Sequence, residues 1–205
     1  GAEVGRTIAE ESSSLVDRAR AYAAAGSDAR MNGCAMPVVI NSGSGNQGIT
    51  VSMPVLVYAR EYKVPEDKML RALALSNLIS LHEKRYIGSL SAYCGATSAA
   101  TGAACGIAYM LGGSYEDICG IITNTINTTG GMVCDGAKSS CASKIATAVG
   151  MALLAMNMSE KGRVFKPGEG LVEDNVEETI ESVGRMGREG MKSTDVEILK
   201  IMLGK

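Results

Sequence analysis

Residues 92–112 read AYCGATSAATGAACGIAYMLG, a stretch built almost entirely of small side chains. Its composition and spacing predict a helix over 92–112 that ends near Leu111. Relative to alanine, glycine costs a helix about 1 kcal/mol at each of Gly95, Gly102 and Gly106. That cost makes sense where neighbouring helices or a ligand must approach the backbone closely. The stretch therefore predicts closely packed helices.

The rest of the chain has a similar character. Of its 205 residues, 46% are hydrophobic but only 4% are aromatic, and there are 25 Gly and 12 Met. No segment alternates apolar and polar residues as a half-buried strand does. We predict an all-α fold, a compact bundle of about seven helices in a single domain, residues 1–205. The helical segments are expected over residues 1–29, 49–59, 64–83, 114–127, 142–156, 173–190 and 194–203, in addition to 92–112.

Several local expectations concern burial and capping. The short apolar run 38–40 is interpreted as a buried connection. Ser114, with Asp117 three residues on, is expected to cap the helix over 114–127. Cys105 and Cys119 are interpreted as small buried hydrophobic residues. In the helix that starts at Pro65, the side chains expected to be buried are Leu70, Leu73, Leu75, Leu78 and Ile79.

Charge and composition argue against several classes of protein. The net charge is −2 and no basic patch is visible, so we expect no nucleic-acid partner. No uninterrupted run of about 18 apolar residues is present, so we expect no membrane span. The first residues lack a signal-peptide pattern, and six cysteines without one favour a reducing compartment over a disulfide framework. We therefore predict a cytoplasmic protein.

Three cysteines lie in segments of small and polar residues. Residues 131–141 read GMVCDGAKSSC, which places Cys134 and Cys141 seven residues apart, and Cys94 lies forty residues before Cys134. This spacing fits zinc poorly, because structural zinc sites commonly use two closely spaced cysteine pairs. Three thiolates could instead hold a [4Fe–4S] cluster with one open iron, which would act as a Lewis acid. Buried structural thiols are the main alternative.

Two further segments carry candidate functional groups. Residues 41–48 read NSGSGNQG and lead into an apolar helical pattern, so their backbone N–H groups could bind an anion, although a flexible loop explains them equally well. The segment is neither a Walker loop nor a dinucleotide fingerprint. His82, the single histidine, lies near Lys84 at the end of a predicted helix. A structural or surface role for His82 is the alternative to a catalytic one.

Several motifs in one order resemble the serine dehydratase α-chain family, and most closely its L-cysteine desulfidase branch. They are the 41–48 loop, Ser80 to Lys84, Leu90 to Gly95 followed by the Ala/Gly-rich helix, and Gly131 to Lys138 with Cys141. The resemblance covers most of residues 33–160.

The resemblance implies a [4Fe–4S] cluster held by Cys94, Cys134 and Cys141. It implies a lyase that performs α,β-elimination on a small L-amino acid, with L-cysteine giving pyruvate, ammonia and sulfide, or L-serine giving pyruvate and ammonia. The other roles placed on this resemblance are substrate carboxylate binding by Ser44, Asn46 and Gln47, base or positioning roles for Lys84 and His82, and support of the site by Asp135 and Lys138. For Asp135 a turn-forming role, and for Lys138 a solvated loop lysine, are the alternatives.

Members of that branch are usually longer, with an upstream half that also contributes to the site. The resemblance therefore implies an upstream domain or partner subunit, and a homo-oligomer is also possible. If that half is absent, the cluster site could be incomplete. The alternative function is a non-catalytic all-α subunit or fragment that binds a small anionic metabolite.

Overall fold

The computed structural model describes residues 1–88 and 91–205; Leu90 of the cysteine motif therefore lies outside the described residues. The described residues contain nine α-helices and one π-helical segment, Met186–Gly190, between α8 and α9. Within them the only β-type pairing is two isolated bridges, so the all-α prediction is confirmed, with more helices than expected. The α-helices are α1 Val4–Glu11, α2 Leu15–Met31, α3 Gly45–Glu61, α4 Glu66–Ile87, α5 Gly95–Leu111, α6 Tyr115–Thr129, α7 Cys141–Ser159, α8 Val176–Arg185 and α9 Lys192–Met202.

The first predicted helix is in fact two helices. The prediction of one helix over residues 1–29 is wrong because the chain leaves helical geometry at Ser12, whose φ and ψ are −153° and 141°. The Ser14 hydroxyl then accepts a hydrogen bond from the Asp17 N–H at 3.1 Å and caps α2. Serine favours such capping over a helix interior, because its side chain competes for backbone hydrogen bonds.

Helix α5 forms the centre of the fold. Nearly all of its residues are buried, and it packs against α3, α4, α6 and α7. A Cβ atom added to Gly102 would lie 2.2 Å from the carbonyl oxygen of Ser76, and one added to Gly106 would lie 2.7 Å from that of Ala72. The backbones of α4 and α5 therefore approach as closely as the glycine pattern predicts.

Helices α5 and α6 form a helical hairpin. At its turn, Gly112 has a φ of 99°, which favours glycine, and ends α5. The Ser114 N–H donates to the Asp117 carboxylate at 2.8 Å while the Asp117 N–H donates to the Ser114 hydroxyl at 3.1 Å, so the expected cap is present. At the other end, Tyr93 pairs with Val133 in an isolated antiparallel bridge. The hairpin thus brings residues near 93 and 133 together.

Two burial predictions are wrong. The run 38–40 is not a buried connection, because Val39 is 85% exposed and Ile40 is 64% exposed. Within α4, Leu70 and Leu78 are exposed rather than buried, whereas Leu73, Leu75 and Ile79 are partly buried. Leu70 and Leu78 are apolar but stay exposed, because no described element covers this side of α4. Among the cysteines, Cys105 is fully buried, as expected, and Cys119 is only partly buried.

Helix α7 is the one described helix with the length and apolar composition to cross a membrane. Half of that stretch is buried inside the fold, where α7 packs against α2, α5 and α6. Core helices of globular proteins pass the same test, so we interpret α7 as a core helix.

Candidate functional site

The N-termini of three helices border one cavity of about 290 Å³. Asn46 and Gln47 from the first turn of α3, Gly95 and Ala96 from that of α5, and Cys141 at the start of α7 all line it. Each helix N-terminus carries free N–H groups and a partial positive charge. The cavity is therefore suited to negatively charged groups.

Cys94, Cys134 and Cys141 all line this cavity. The Cys94 N–H donates to the Met132 carbonyl at 3.0 Å, and the Cys134 N–H donates to the Ala92 carbonyl at 2.7 Å. The Cys141 sulfur lies 3.5 Å from both the Lys138 nitrogen and the Gly136 carbonyl oxygen. Of the remaining cysteines, Cys34, Cys105 and Cys119 do not line the cavity, and all six are free thiols.

The Cys94 and Cys134 thiols are coupled. A hydrogen bond from the Cys94 thiol, together with the Gly136 N–H and the charge of Lys144, lowers the pKa of Cys134 to about 6. The same hydrogen bond and burial raise the pKa of Cys94. These interactions favour the thiolate form of Cys134, which is the form of cysteine that binds metals.

The donor set fits an iron–sulfur cluster better than a single metal ion. Among the described residues, no group of three His, Cys, Asp or Glu side chains converges on one ion position. A [4Fe–4S] cluster does not need such convergence, because each thiolate binds a different iron atom. Three thiols line one cavity, where Lys144 favours the thiolate form of Cys134, and cysteine thiolates are the ligands that such clusters use.

Two lysines supply positive charge at the cavity. Lys84 is 5% exposed, and burial lowers its pKa, although the nearby Cys134 and Cys94 oppose this effect. Lys144 pairs with the Asp135 carboxylate, which raises the pKa of Lys144 although burial opposes it. Asp135 thus contacts the site only through Lys144. The Lys138 side chain is exposed and does not line the cavity, while its backbone nitrogen faces the Cys141 sulfur.

The 41–48 loop also lines the cavity. The Ser44 hydroxyl caps α3 by accepting from the Gln47 N–H at 3.5 Å, and Ser44, Asn46 and Gln47 all line the cavity. The Gln47 side chain lies over Gly95, where a Cβ atom would be 2.4 Å from its amide carbon, and its side-chain oxygen is buried without a hydrogen-bond partner. Gln47 therefore has an acceptor that a ligand's N–H or O–H could satisfy.

Arg30 and Lys144 are cavity residues that the sequence did not reveal. The Arg30 guanidinium donates to the Asn46 side-chain oxygen at 3.3 Å. It reaches the cavity from the last turn of α2, eleven residues before the 41–48 loop, and only the folding of α2 against α3 brings it there. One signal was available: no charged residue follows Arg30 until Arg60.

His82 and its neighbour Glu83 lie on different sides of α4, and neither lines the cavity. The His82 ring nitrogen lies 2.7 Å from the Glu177 carboxylate at the surface, and its ring packs edge-on against Tyr86. Glu83 is 1% exposed, and neither of its carboxyl oxygens has a hydrogen-bond partner in the described structure. Burial raises the pKa of Glu83, and the nearby Ser98 hydroxyl only partly offsets this. Glu83 is thus a buried acid beside Lys84, and its burial favours the neutral form.

Comparison with known proteins places the chain in a family. The family model described as serine dehydratase alpha chain matches residues 2–200. A protein of Lachnoclostridium phytofermentans is 53% identical over 204 residues, which is 99% of this chain but 49% of that protein. A Desulfitobacterium hafniense protein is 52% identical over 206 residues, covering 100% of this chain and 48% of its own length.

Both relatives carry the name UPF0597 protein. A Treponema denticola protein of the same name is 48% identical over 209 residues, which is 99% of this chain and 48% of that protein. The chain thus spans about half the length of the curated relatives it matches. No solved structure matches the chain. The match over nearly the whole chain confirms the resemblance, and the chain belongs to the serine dehydratase alpha chain family.

Proposed function

We propose that the chain is the catalytic domain of a longer iron–sulfur-dependent lyase, which performs α,β-elimination on a small L-amino acid. L-Cysteine would give pyruvate, ammonia and sulfide, and L-serine would give pyruvate and ammonia. One observation carries the proposal: three cysteine thiols, three helix N-termini and two lysines meet at one cavity. Membership of the serine dehydratase alpha chain family supports it.

Cys94, Cys134 and Cys141 would hold a [4Fe–4S] cluster. When bound, the cluster supplies a Lewis-acidic iron that stabilises the departing sulfur or oxygen of the substrate. Lys144, held by Asp135, faces the two coupled thiols and offsets their negative charge. This arrangement favours ionised cysteines, which metal binding requires.

The α-carboxylate of the substrate fits beside the residues of the 41–48 loop that line the cavity. The N-terminus of α3 offers backbone N–H groups there, and Arg30 offers a guanidinium group that can bind a carboxylate. The Asn46 side chain holds Arg30 in place through their hydrogen bond. Gln47 has an unpartnered acceptor that could receive a hydrogen bond from the substrate's amino group.

Lys84 is the best placed group to take the α-proton. It lines the cavity, and burial lowers the pKa of its amine, which favours the neutral form that can accept a proton at Nζ. The elimination then breaks the Cα–H bond and the bond from Cβ to the leaving sulfur or oxygen. The resulting aminoacrylate hydrolyses to pyruvate and ammonia. His82, the other candidate base, faces Glu177 outside the cavity.

Anaerobic cluster reconstitution tests the proposal. We expect iron and sulfide at about four each per chain, as a [4Fe–4S] cluster requires. The variants Cys94→Ser, Cys134→Ser and Cys141→Ser should each lose most of the bound iron. Cys34→Ser is the matched control and should bind as much iron as the wild type, because Cys34 does not line the cavity.

Sulfide release from L-cysteine by the reconstituted protein then tests the reaction. A cluster without sulfide or pyruvate formation would support cofactor binding but contradict catalysis by this chain alone. If the three serine variants bind iron as well as Cys34→Ser does, the assignment of the ligands fails.

A non-catalytic role is the second candidate. The cavity is positively charged by Arg30, Lys84 and the three helix N-termini even before any cluster binds, so it could hold a small anionic metabolite. In that case pyruvate should raise the melting temperature of the iron-free protein, and the three cysteine-to-serine variants should respond as the wild type does.

A further inference from the structure

We propose that an apolar surface beside the cavity is the docking site for the other half of the longer family protein. The apolar surface consists of Met36, Val39 and Ile40 from the segment before α3 and of Leu70, Leu78 and Leu81 from α4, each between 45% and 85% exposed. This inference concerns assembly, and it does not depend on the proposed reaction.

The apolar surface is continuous across its two elements. The Asn41 side chain donates to the backbone oxygen of Asn77 at 3.3 Å and to its side-chain oxygen at 3.0 Å, which ties the segment before α3 to the middle of α4. Leu70, Asn77 and Leu81 recur at helical spacing, so they share one face of α4. Asn77, Met36 and Val39 also line one groove of about 430 Å³. The leucines of α4 and the segment 36–40 therefore present one surface.

The central part of the apolar surface is uncharged, whereas Arg71 adjoins Leu70, His82 adjoins Leu81, and Arg30 lines the groove under the segment before α3. No Asp, Glu, Lys, Arg or His occurs between Arg30 and Arg60, and none occurs in α4 between Arg71 and His82. A monomeric protein rarely exposes a large contiguous apolar patch, and such patches usually mark an interface with protein or membrane. The basic residues that attract anionic lipid headgroups are missing from both stretches, which favours a protein partner.

The length of the relatives identifies the partner. The Lachnoclostridium phytofermentans protein carries about as many residues outside the matched region as within it, since the match covers 49% of that protein. A second unit on the same polypeptide meets this one at high effective concentration. A second copy of this chain would lack that advantage.

The position of the apolar surface also suits a unit that borders the cavity. A Cβ atom added to Gly48 would lie 1.8 Å from the Val39 carbonyl oxygen, so the exposed segment is packed directly onto the first turn of α3. Arg30 lines both the groove under this segment and the cavity. A partner docked on the apolar surface would therefore lie next to the rim of the cavity.

Co-expression tests the assignment. The unmatched half of the Lachnoclostridium phytofermentans protein is co-expressed with this chain, which carries an affinity tag, so that neither part has to fold alone. We expect a one-to-one complex by copurification and sedimentation velocity. Val39→Asp and Leu78→Asp should each reduce the recovered partner by about tenfold or more, since a charge at the centre of an apolar interface is strongly unfavourable. Leu154→Asp, on the exposed face of α7, is the matched control and should have no effect.

The milder variant Val39→Ser should weaken the complex less than Val39→Asp does, and an unchanged melting temperature shows that each variant is folded. The inference would be overturned if the wild-type chain failed to copurify with the partner. It would also be overturned if Leu154→Asp reduced the recovered partner as much as Val39→Asp and Leu78→Asp do. If this chain dimerises on its own and Val39→Asp abolishes the dimer, the apolar surface would be assigned to a second copy instead. No outcome depends on a cluster or on activity.

Discussion

Replacing Gly102 with alanine tests whether α4 and α5 meet backbone to backbone. The added Cβ would lie 2.2 Å from the Ser76 carbonyl oxygen and 3.3 Å from the Ser80 nitrogen. Non-bonded carbon contacts are optimal at about 3.5 Å or more, so the helices must separate by roughly 1 Å. Neither contact atom is the end of a side chain, so no rotamer change can relieve the overlap.

The expected cost of Gly102→Ala follows from two opposing contributions. Overpacking costs about 3 kcal/mol where the neighbours cannot yield, and alanine returns about 1 kcal/mol of helix propensity. The net loss of about 2 kcal/mol corresponds to a fall in melting temperature of about 4–8 °C for a chain of this length. Thermal and urea unfolding, both followed by circular dichroism, measure it.

Gly150→Ala in α7 is the matched control. Its added Cβ would lie 3.1 Å from the Arg20 Nε atom, so the Arg20 side chain, which donates to the Ala146 carbonyl oxygen and to Asp17, would have to shift by only a few tenths of an ångström. We expect Gly150→Ala to melt within a few degrees of the wild type or above it. If Gly102→Ala is as stable as Gly150→Ala, the close contact of α4 and α5 is refuted.

Three further predictions concern single side chains. Burial raises the pKa of Glu83, so the contribution of this carboxyl group to the free energy of unfolding is complete below the ordinary glutamate pKa of 4.5 and is lost as the pH rises towards the folded-state pKa; above pH 4.5, Glu83→Gln should therefore lose less stability with rising pH than the wild type does in urea titrations, and parallel curves would contradict this. His82→Ala should lower the free energy of unfolding by less than about 1 kcal/mol, because the pair with Glu177 is exposed. It should leave the rate of sulfide release unchanged, whereas a fall in that rate of about a hundredfold would restore His82 as a catalytic candidate. Ser114→Ala removes its bond to the Asp117 N–H and should cost about 1 kcal/mol in urea unfolding, so an unchanged midpoint would mean that the cap contributes nothing.

The packing of α5 could be predicted because its cause lies within the sequence. Glycines at Gly102 and Gly106 weaken an isolated helix, so a close neighbour was the simplest compensation, and α4 provides it. The three cysteines could be grouped because few other residues offered comparable chemistry, and the fold brings Cys94, Cys134 and Cys141 to one cavity. Their role as cluster ligands stays a prediction.

The apolar surface and the additional cations could not be predicted, for a different reason. The hydrophobicity of Val39 and Leu78 indicates that both side chains favour burial. It does not indicate whether the surface that buries them belongs to this chain or to another. Arg30 and Lys144 lie in ordinary helical patterns of α2 and α7, and their approach to the cavity depends on long-range packing. The burial of Glu83 could not be predicted either, because it adjoins His82 and Lys84 in a charged stretch.

The full length of α5 and α6 separates the thiols of Cys94 and Cys134 from the turn that joins the two helices. Cys94 and Cys134 lie at the open end of the hairpin, while the exposed residues Gly112 and Ser114 form the turn at the other. Exposed turns of this kind tolerate inserted sequence well. An epitope or a fluorescent label inserted between Gly112 and Ser114 would therefore report on the protein without disturbing Cys94 and Cys134.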